Sequence, residues 1–209
     1  MIGLLMASEQ ESFPFLSIVE AQLKELAETV RASEADGNAA APVAAIAEAV
    51  VAALRSGKKI LTAGNGGSAA DALHMAEELV GRYRTNRIAL PAVALVADAT
   101  ALTCIGNDFG FDQIFSRQIE ALGNVGDLLV LFSTSGNSAN LLAAAEAARE
   151  RGLKVISFLG KGGGPLAPLS DLVWIVPAKN TARIQELHTW AMHSILECVE
   201  TTFSLEWEA

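Results

Sequence analysis

The chain has 209 residues, with 15 Lys+Arg against 24 Asp+Glu, a formal net charge of -9, 51% hydrophobic residues and 19% charged ones. This composition excludes a disordered chain, and the length suits one domain, or one with an extension, that buries about 70% of its unfolded surface without a disulfide or structural metal. The acidic balance argues against the clustered basic face of a nucleic-acid-binding protein, and no apolar run reaches the ~18 residues that span a bilayer.

The opening residues, MIGLLMASEQES, lack the basic start of a signal peptide. Leu16, Val19, Leu23, Leu26 and Val30 then recur at three- and four-residue steps, the seam of a packing helix that Ser12 would cap and whose first turn suits Pro14. Two heptads leave both partners open for that seam, the chain's own core or a second copy. Asp36-Gly37-Asn38 breaks the chain, and an alanine-rich helix follows from about Pro42 to Arg55. Residues 1–57 therefore read as N-terminal helices for packing or oligomerisation, and residues 58–209 as the main domain.

From Lys58 onward, short runs rich in Val, Ile and Leu alternate with helix-length segments. Strands are predicted at 60–63, 92–96, 128–132, 155–159 and 172–176, and helices near 68–82, 111–122, 138–151 and 181–203. Apolar runs this short fit strands buried on both faces. The alternation predicts an α/β fold with a doubly wound, mostly parallel five-stranded sheet, whose ligands bind in the loops at the carboxyl ends of the strands. Cys104 and Cys198 match no metal or redox spacing and are expected to be two buried thiols in a reducing compartment, so the chain is expected to be cytoplasmic.

Two of those loops look built for phosphate. Gly64-Asn65-Gly66-Gly67-Ser68 follows the first strand and opens a helix, where unpaired N–H groups and the positive dipole end favour an anion. It also satisfies a loose dinucleotide fingerprint, but Asp98, the candidate ribose acid, lies about 30 residues beyond the loop against the usual ~20. Ser133-Thr134-Ser135-Gly136-Asn137-Ser138 follows the third strand. Its four hydroxyls exceed what helix capping requires and suit a tetrahedral dianion, while the missing Walker lysine argues against a nucleoside triphosphate. The inferred ligand is a phosphate monoester.

The motifs GNGGS, DALHMAEEL, GRYR, IGNDFGF, STSGNSANL and ARIQELH, in order from Gly64 to His193, resemble the sugar isomerase (SIS) superfamily and, within it, the phosphoheptose isomerase family. The resemblance implies isomerisation of sedoheptulose 7-phosphate to D-glycero-D-manno-heptose 7-phosphate, the first step of bacterial heptose synthesis, by a homo-oligomer that is commonly a tetramer with active sites at subunit interfaces. It also implies substrate contacts at Asn65, Gly66, Gly67, Ser68, Glu78, Asn107, Asp108, Ser133, Thr134, Ser135, Ser138 and Gln185. A zinc site from His74, Glu78, Gln185 and His193 is implied as well. A non-catalytic SIS relative that binds the bacterial replication initiator, and an isomerase of another sugar phosphate, are the alternatives.

His74 and Glu78, four apart on one helix, share a face, and Gln185 and His193 are about 80° apart on a later helix, with His188 near the same face. Moving a proton between C1 and C2 through an enediol needs a base at carbon and an acid at oxygen. Glu78 suits the base and His193 the acid. Zinc-bound carboxylate is a weaker base, so the metal is open to two roles, polarising the sugar oxygens or holding the helices. Asn107-Asp108 reads by itself as a turn. Arg82 and Arg84 read equally as anion contacts or as a helix-end charge pair.

Overall fold

The structure, a computed structural model, describes residues 14–35 and 39–207. In chain order the elements are α1 (Phe15–Glu34), α2 (Ala40–Arg55), β1 (Ile60–Gly64), α3 (Gly67–Val80), β2 (Ala92–Ala94), α4 (Ala99–Phe109), α5 (Ser116–Leu122), β3 (Leu128–Ser133), α6 (Ala139–Glu150), β4 (Lys154–Leu159), β5 (Leu172–Ile175) and α7 (Thr181–Trp207). Every strand pair is parallel, in the order β2-β1-β3-β4-β5.

Side-chain alternation along the strands divides the core in two. Ile60, Leu128, Val130, Phe132, Ile156, Phe158 and Trp174 pack on one face with residues of α2, α3 and α7. Leu61, Ala63, Leu129, Leu131, Val155 and Leu159 pack on the other with α5 and α6. Burial on both faces explains why the strands carry continuous apolar runs. The order reverses between β1 and β3, so the crevice beyond their carboxyl ends is the natural ligand site of this sheet. The two glycine- and hydroxyl-rich loops leave β1 and β3 at that crevice.

Several expectations are corrected. Asn107 and Asp108 are not in a turn but in the last helical turn of α4. The segment Ala99–Phe109 has no fully buried residue, so it offers little apolar periodicity to read. It is helical because the Asp98 carboxylate accepts hydrogen bonds from Thr100 N and Ala101 N, at 2.9 and 3.0 Å, capping the first turn. Leu102 and Ile105 add the remaining hold by packing on the second core. The helix expected over 111–122 is a 3₁₀ turn at Phe111–Gln113 followed by the short α5. Both cysteines are exposed rather than buried, Cys104 on α4 and Cys198 on α7. Pro14 stands at the N-cap of α1, its carbonyl accepting from Ile18 N, while Ser12 and Asp36-Gly37-Asn38 lie outside the described residues.

Candidate active site

The loops after β1 and β3 enclose a cavity of about 280 Å³ lined by Asn65, Gly67, Ser68, Phe132, Ser133, Thr134, Ser135, Ser138, Leu141, Thr181 and Gln185. All eight lining residues expected from the sequence to bind substrate are thus brought together, and Gly66 sits directly before α3 as its N-cap, with φ +58. Asn65 and Asn140 exchange two 2.9 Å hydrogen bonds between their carboxamides, which stitches the two loops to each other. The Ser133 hydroxyl accepts from Gly136 N at 3.0 Å, leaving its own O–H free to donate. A Cβ at Gly136 would come within 2.0 Å of the Gly163 carbonyl oxygen, so this loop closes against its neighbour only through glycine.

Asp98 is committed to capping α4, which removes the ribose-binding acid that a dinucleotide site would need. Asn107 and Asp108 are exposed on α4, hydrogen-bonded to each other at 2.7 Å, and do not line the cavity.

One end of α3 forms the cavity, and the helix then carries His74 and Glu78 away from it. From Ser68 to His74 the helix rises roughly 9 Å. His74 Nε2 lies 3.2 Å from Glu78 Oε1, and the His74 and His193 rings meet edge to face with centroids 5.2 Å apart. His193 follows His74 by 119 positions, on another helix, and local spacing does not fix that the two rings touch. Glu77 joins them, its carboxylate lying within 4.8 Å of a ligand atom of His74 and of Glu78. Gln185 is at the cavity end of α7, so close to Gly67 that an added Cβ would be 2.5 Å from its Nε2. Among the described residues, the donors close enough to share one ion are those of His74, Glu77 and Glu78, one imidazole and two carboxylates, a set that a divalent transition metal accepts.

Residues that the sequence reading did not single out hold this arrangement. Between the cavity and the imidazoles, Asp71 Oδ1 accepts from Thr189 Oγ1 at 2.8 Å, while Asp71 Oδ2 is buried without a hydrogen-bond partner. Burial raises the Asp71 pKa, opposed by the Thr189 hydrogen bond and the nearby His74 and His193. Tyr83 stacks on His193 with centroids 5.6 Å apart, and the Arg84 guanidinium lies 4.9 Å from the Tyr83 ring centroid. Arg84 is itself 2.6 Å from Glu197 of α7, and Arg82 donates to Asn86 at 2.6 Å. Arg84 thus makes a charge pair with α7, whereas the partner of Arg82 is a neutral carboxamide. Only a tyrosine beside the arginines signalled this stack in the sequence, and nothing there tied it to His193.

His188 does not share the site. It is fully buried among Phe132, Phe158 and Trp174, with Nε2 3.1 Å from the Leu159 carbonyl. Burial pushes its pKa from 6.5 to about 4, against the raising effect of that hydrogen bond. It is a neutral core histidine.

A family model for the SIS domain matches residues 21–160. A phosphoheptose isomerase of Geobacter sp. (strain M21) is 46% identical over 191 residues, 91% of this chain and 98% of its own length. The phosphoheptose isomerase of Rhodospirillum rubrum is 51% identical over 164 residues, 78% of this chain and 87% of its own. The solved structure of the Neisseria gonorrhoeae phosphoheptose isomerase has a TM-score of 0.84 at 43% identity, covering 90% of this chain and 99% of that one. That of Francisella tularensis has a TM-score of 0.87 at 33% identity, covering 90% and 100%. By sequence over most of its length, and by fold, the chain belongs to the phosphoheptose isomerase family of SIS-domain proteins.

Proposed function

We propose that the chain isomerises sedoheptulose 7-phosphate to D-glycero-D-manno-heptose 7-phosphate, the entry to heptose biosynthesis. The observation that carries this reading is the contact of His74, Glu78 and His193 on α3 and α7, on the helices that also form the hydroxyl-lined cavity. A phosphate held by Ser133, Thr134, Ser135 and Ser138, with the α3 amides at Gly67 and Ser68 and the Asn65 and Gln185 side chains beside it, anchors one end of the sugar. The carbon chain then runs along α3 toward Glu78. Glu78 takes the proton from C1, His193 delivers a proton to the C2 oxygen, and an enediol forms. Return of a proton to C2, with loss of the O1 proton, leaves the aldehyde at C1. An interaction protein that only binds would have no use for this paired acid and base.

We further assign a zinc ion to His74, Glu78, His193 and Gln185. The 3.2 Å between His74 Nε2 and Glu78 Oε1 suits two donors to one ion, and His193 and Gln185 enter the set through the family motif. When bound, the metal would polarise the sugar oxygens. Asn107 and Asp108 are assigned to substrate through the family motif alone, and their exposed position on α4 suits a role completed by a second copy. α1 supplies the assembly face: Leu16, Val19 and Leu23 are 73%, 63% and 67% exposed in the single chain. A homotetramer, working in the cytoplasm, with residues 1–57 serving packing and assembly and residues 58–209 serving substrate, is the assembly we propose. Among the described residues, no helix is long and apolar enough to cross a membrane.

The test is incubation of the purified protein with a series of ketose phosphates of five to seven carbons, with products identified by NMR. Preferential conversion of the seven-carbon ester supports the reading. Conversion of only shorter esters would reassign the substrate, and conversion of none would remove the enzyme.

A further inference from the structure

Every side chain lining the phosphate cavity is neutral. A phosphate monoester carries a charge of about −1.5 to −2 near pH 7, and the chain as a whole carries a net charge of -9. A cation at the cavity would therefore matter, and the fold supplies one, exposed, against a lining residue. Thr181, the first residue of α7, lines the cavity, and Lys161 Nζ lies 3.0 Å from Thr181 Oγ1.

The chemistry of that pair fixes which way the threonine hydroxyl points. An ammonium group has three donors and no acceptor, so Thr181 Oγ1 must accept from Lys161. The Thr181 O–H hydrogen is then left to donate elsewhere, and Thr181 lines the cavity. A hydroxyl that accepts from a cation is a stronger donor, and passes part of the positive charge on to whatever it binds.

Lys161 is placed there by a constrained backbone. Among the described residues it alone has positive φ without being glycine, at +50, and Gly162, Gly163 and Gly164 follow at +82, +87 and +54. Glycine adopts this conformation freely, whereas lysine enters it only when its surroundings impose it. Here the loop is pinned by Leu166 N donating to the Gly136 carbonyl at 3.1 Å and by Gly163 N donating to Gly160 at 2.8 Å. A Cβ at Gly164 would lie 2.6 Å from the Ser135 carbonyl oxygen, so the Lys161 loop and the phosphate loop fit as one piece.

We propose that Thr181 and Lys161 are further substrate-binding machinery: Thr181 donates a fifth hydroxyl to the phosphate, and Lys161, as a positioning residue acting through it, orients and polarises that hydroxyl. This rests on the cavity being the phosphate site of the proposed reaction. Neither residue then contributes to proton transfer, so the effect falls on KM and not on kcat.

The test uses full-length protein, sedoheptulose 7-phosphate as substrate and inorganic phosphate as competitor. Thr181→Val and Lys161→Met should each raise KM and the inhibition constant of phosphate about tenfold, the scale of one lost hydrogen bond to a charged group, with kcat within about twofold of wild type. Thr181→Ser and Lys161→Arg should recover most of the loss. Lys161→Met should also weaken the ionic-strength dependence of KM. The double variant should be little worse than Thr181→Val, because the lysine acts through the threonine. Unchanged KM in Thr181→Val, with thermal unfolding showing an intact fold, overturns the inference. The Ser133→Ala–Ser135→Ala variant separates the two levels of failure. If it loses phosphate binding while Thr181→Val does not, only the Lys161–Thr181 inference falls; if it too binds as wild type, the cavity is not the phosphate site.

Discussion

Thr189 Oγ1 donates a 2.8 Å hydrogen bond to Asp71 Oδ1, joining α7 to α3 midway between the phosphate cavity and the His74–His193 contact. Both residues sit one helical turn from functional groups, Asp71 three residues before His74 and Thr189 four after Gln185 and four before His193. The bond fixes how the two helices face each other, and so the geometry of the proposed acid–base pair. Thr189→Val would leave a buried carboxyl with no hydrogen-bond donor at either oxygen. The expected cost is ~1–3 kcal/mol, at roughly 2–4 °C of Tm per kcal/mol for a chain this size, with kcat reduced and KM for phosphate esters largely kept. Thermal unfolding and steady-state kinetics read both; an unchanged Tm would contradict the role.

The phosphate cavity makes a separable prediction. Replacing Ser133 and Ser135 by alanine removes two donors to a charged group, each worth roughly 1.5–3 kcal/mol, so affinity for sedoheptulose 7-phosphate should fall at least ~100-fold. Affinity for unphosphorylated sedoheptulose should hardly move. Calorimetry with both ligands and with NAD checks this, because a dinucleotide site would instead give NAD binding indifferent to the serines.

His188 sets a pH dependence of stability. Its pKa is 6.5 in an ordinary setting and about 4 in the core, so between those values the unfolded chain takes up a proton that the folded chain refuses. Stability should therefore fall as pH drops from about 6.5 to 4, by up to about 3 kcal/mol from this one residue. In His188→Gln the loss of Tm over the same range should be shallower; parallel Tm curves for the two proteins would show that the histidine does not drive it.

The exposed seam of α1 predicts an assembly that charge disrupts. Leu16→Glu together with Leu23→Glu places charges on a face of which both residues are more than 60% exposed in the single chain, with 73% and 67% of their surface open. Light scattering should find the wild type larger than a monomer at micromolar concentration and the variant smaller or aggregated. A monomeric wild type would end the assignment of this face to self-association.

The sheet was legible because its strands are buried on both sides: the Leu128 to Phe132 run has no polar position to confuse it. The cavity was legible because four hydroxyls in six residues are too many for a cap. α4 was not, since it buries no residue fully and depends on the Asp98 cap, a contact that leaves only an aspartate before an unpatterned segment. The cysteines were misplaced for the related reason that residue type sets a tendency to burial, whereas helix face decides it. Tyr83 on His193, Asp71 with Thr189 and Lys161 behind Thr181 all join residues more than 15 positions apart, and no local spacing encodes such pairs. His188 shows the converse, a residue at helical spacing from Gln185 that the packing of Phe158 and Trp174 takes into the core.

The central claim, proton transfer through Glu78 and His193, is tested most directly by following sedoheptulose 7-phosphate in D₂O by NMR with wild type, Glu78→Gln and His193→Ala. The wild type should yield the aldose heptose 7-phosphate with solvent deuterium at C2, and each variant should lower the rate at least ~100-fold while remaining folded. Absence of the aldose with wild type, or its formation at an undiminished rate by Glu78→Gln, would contradict the account.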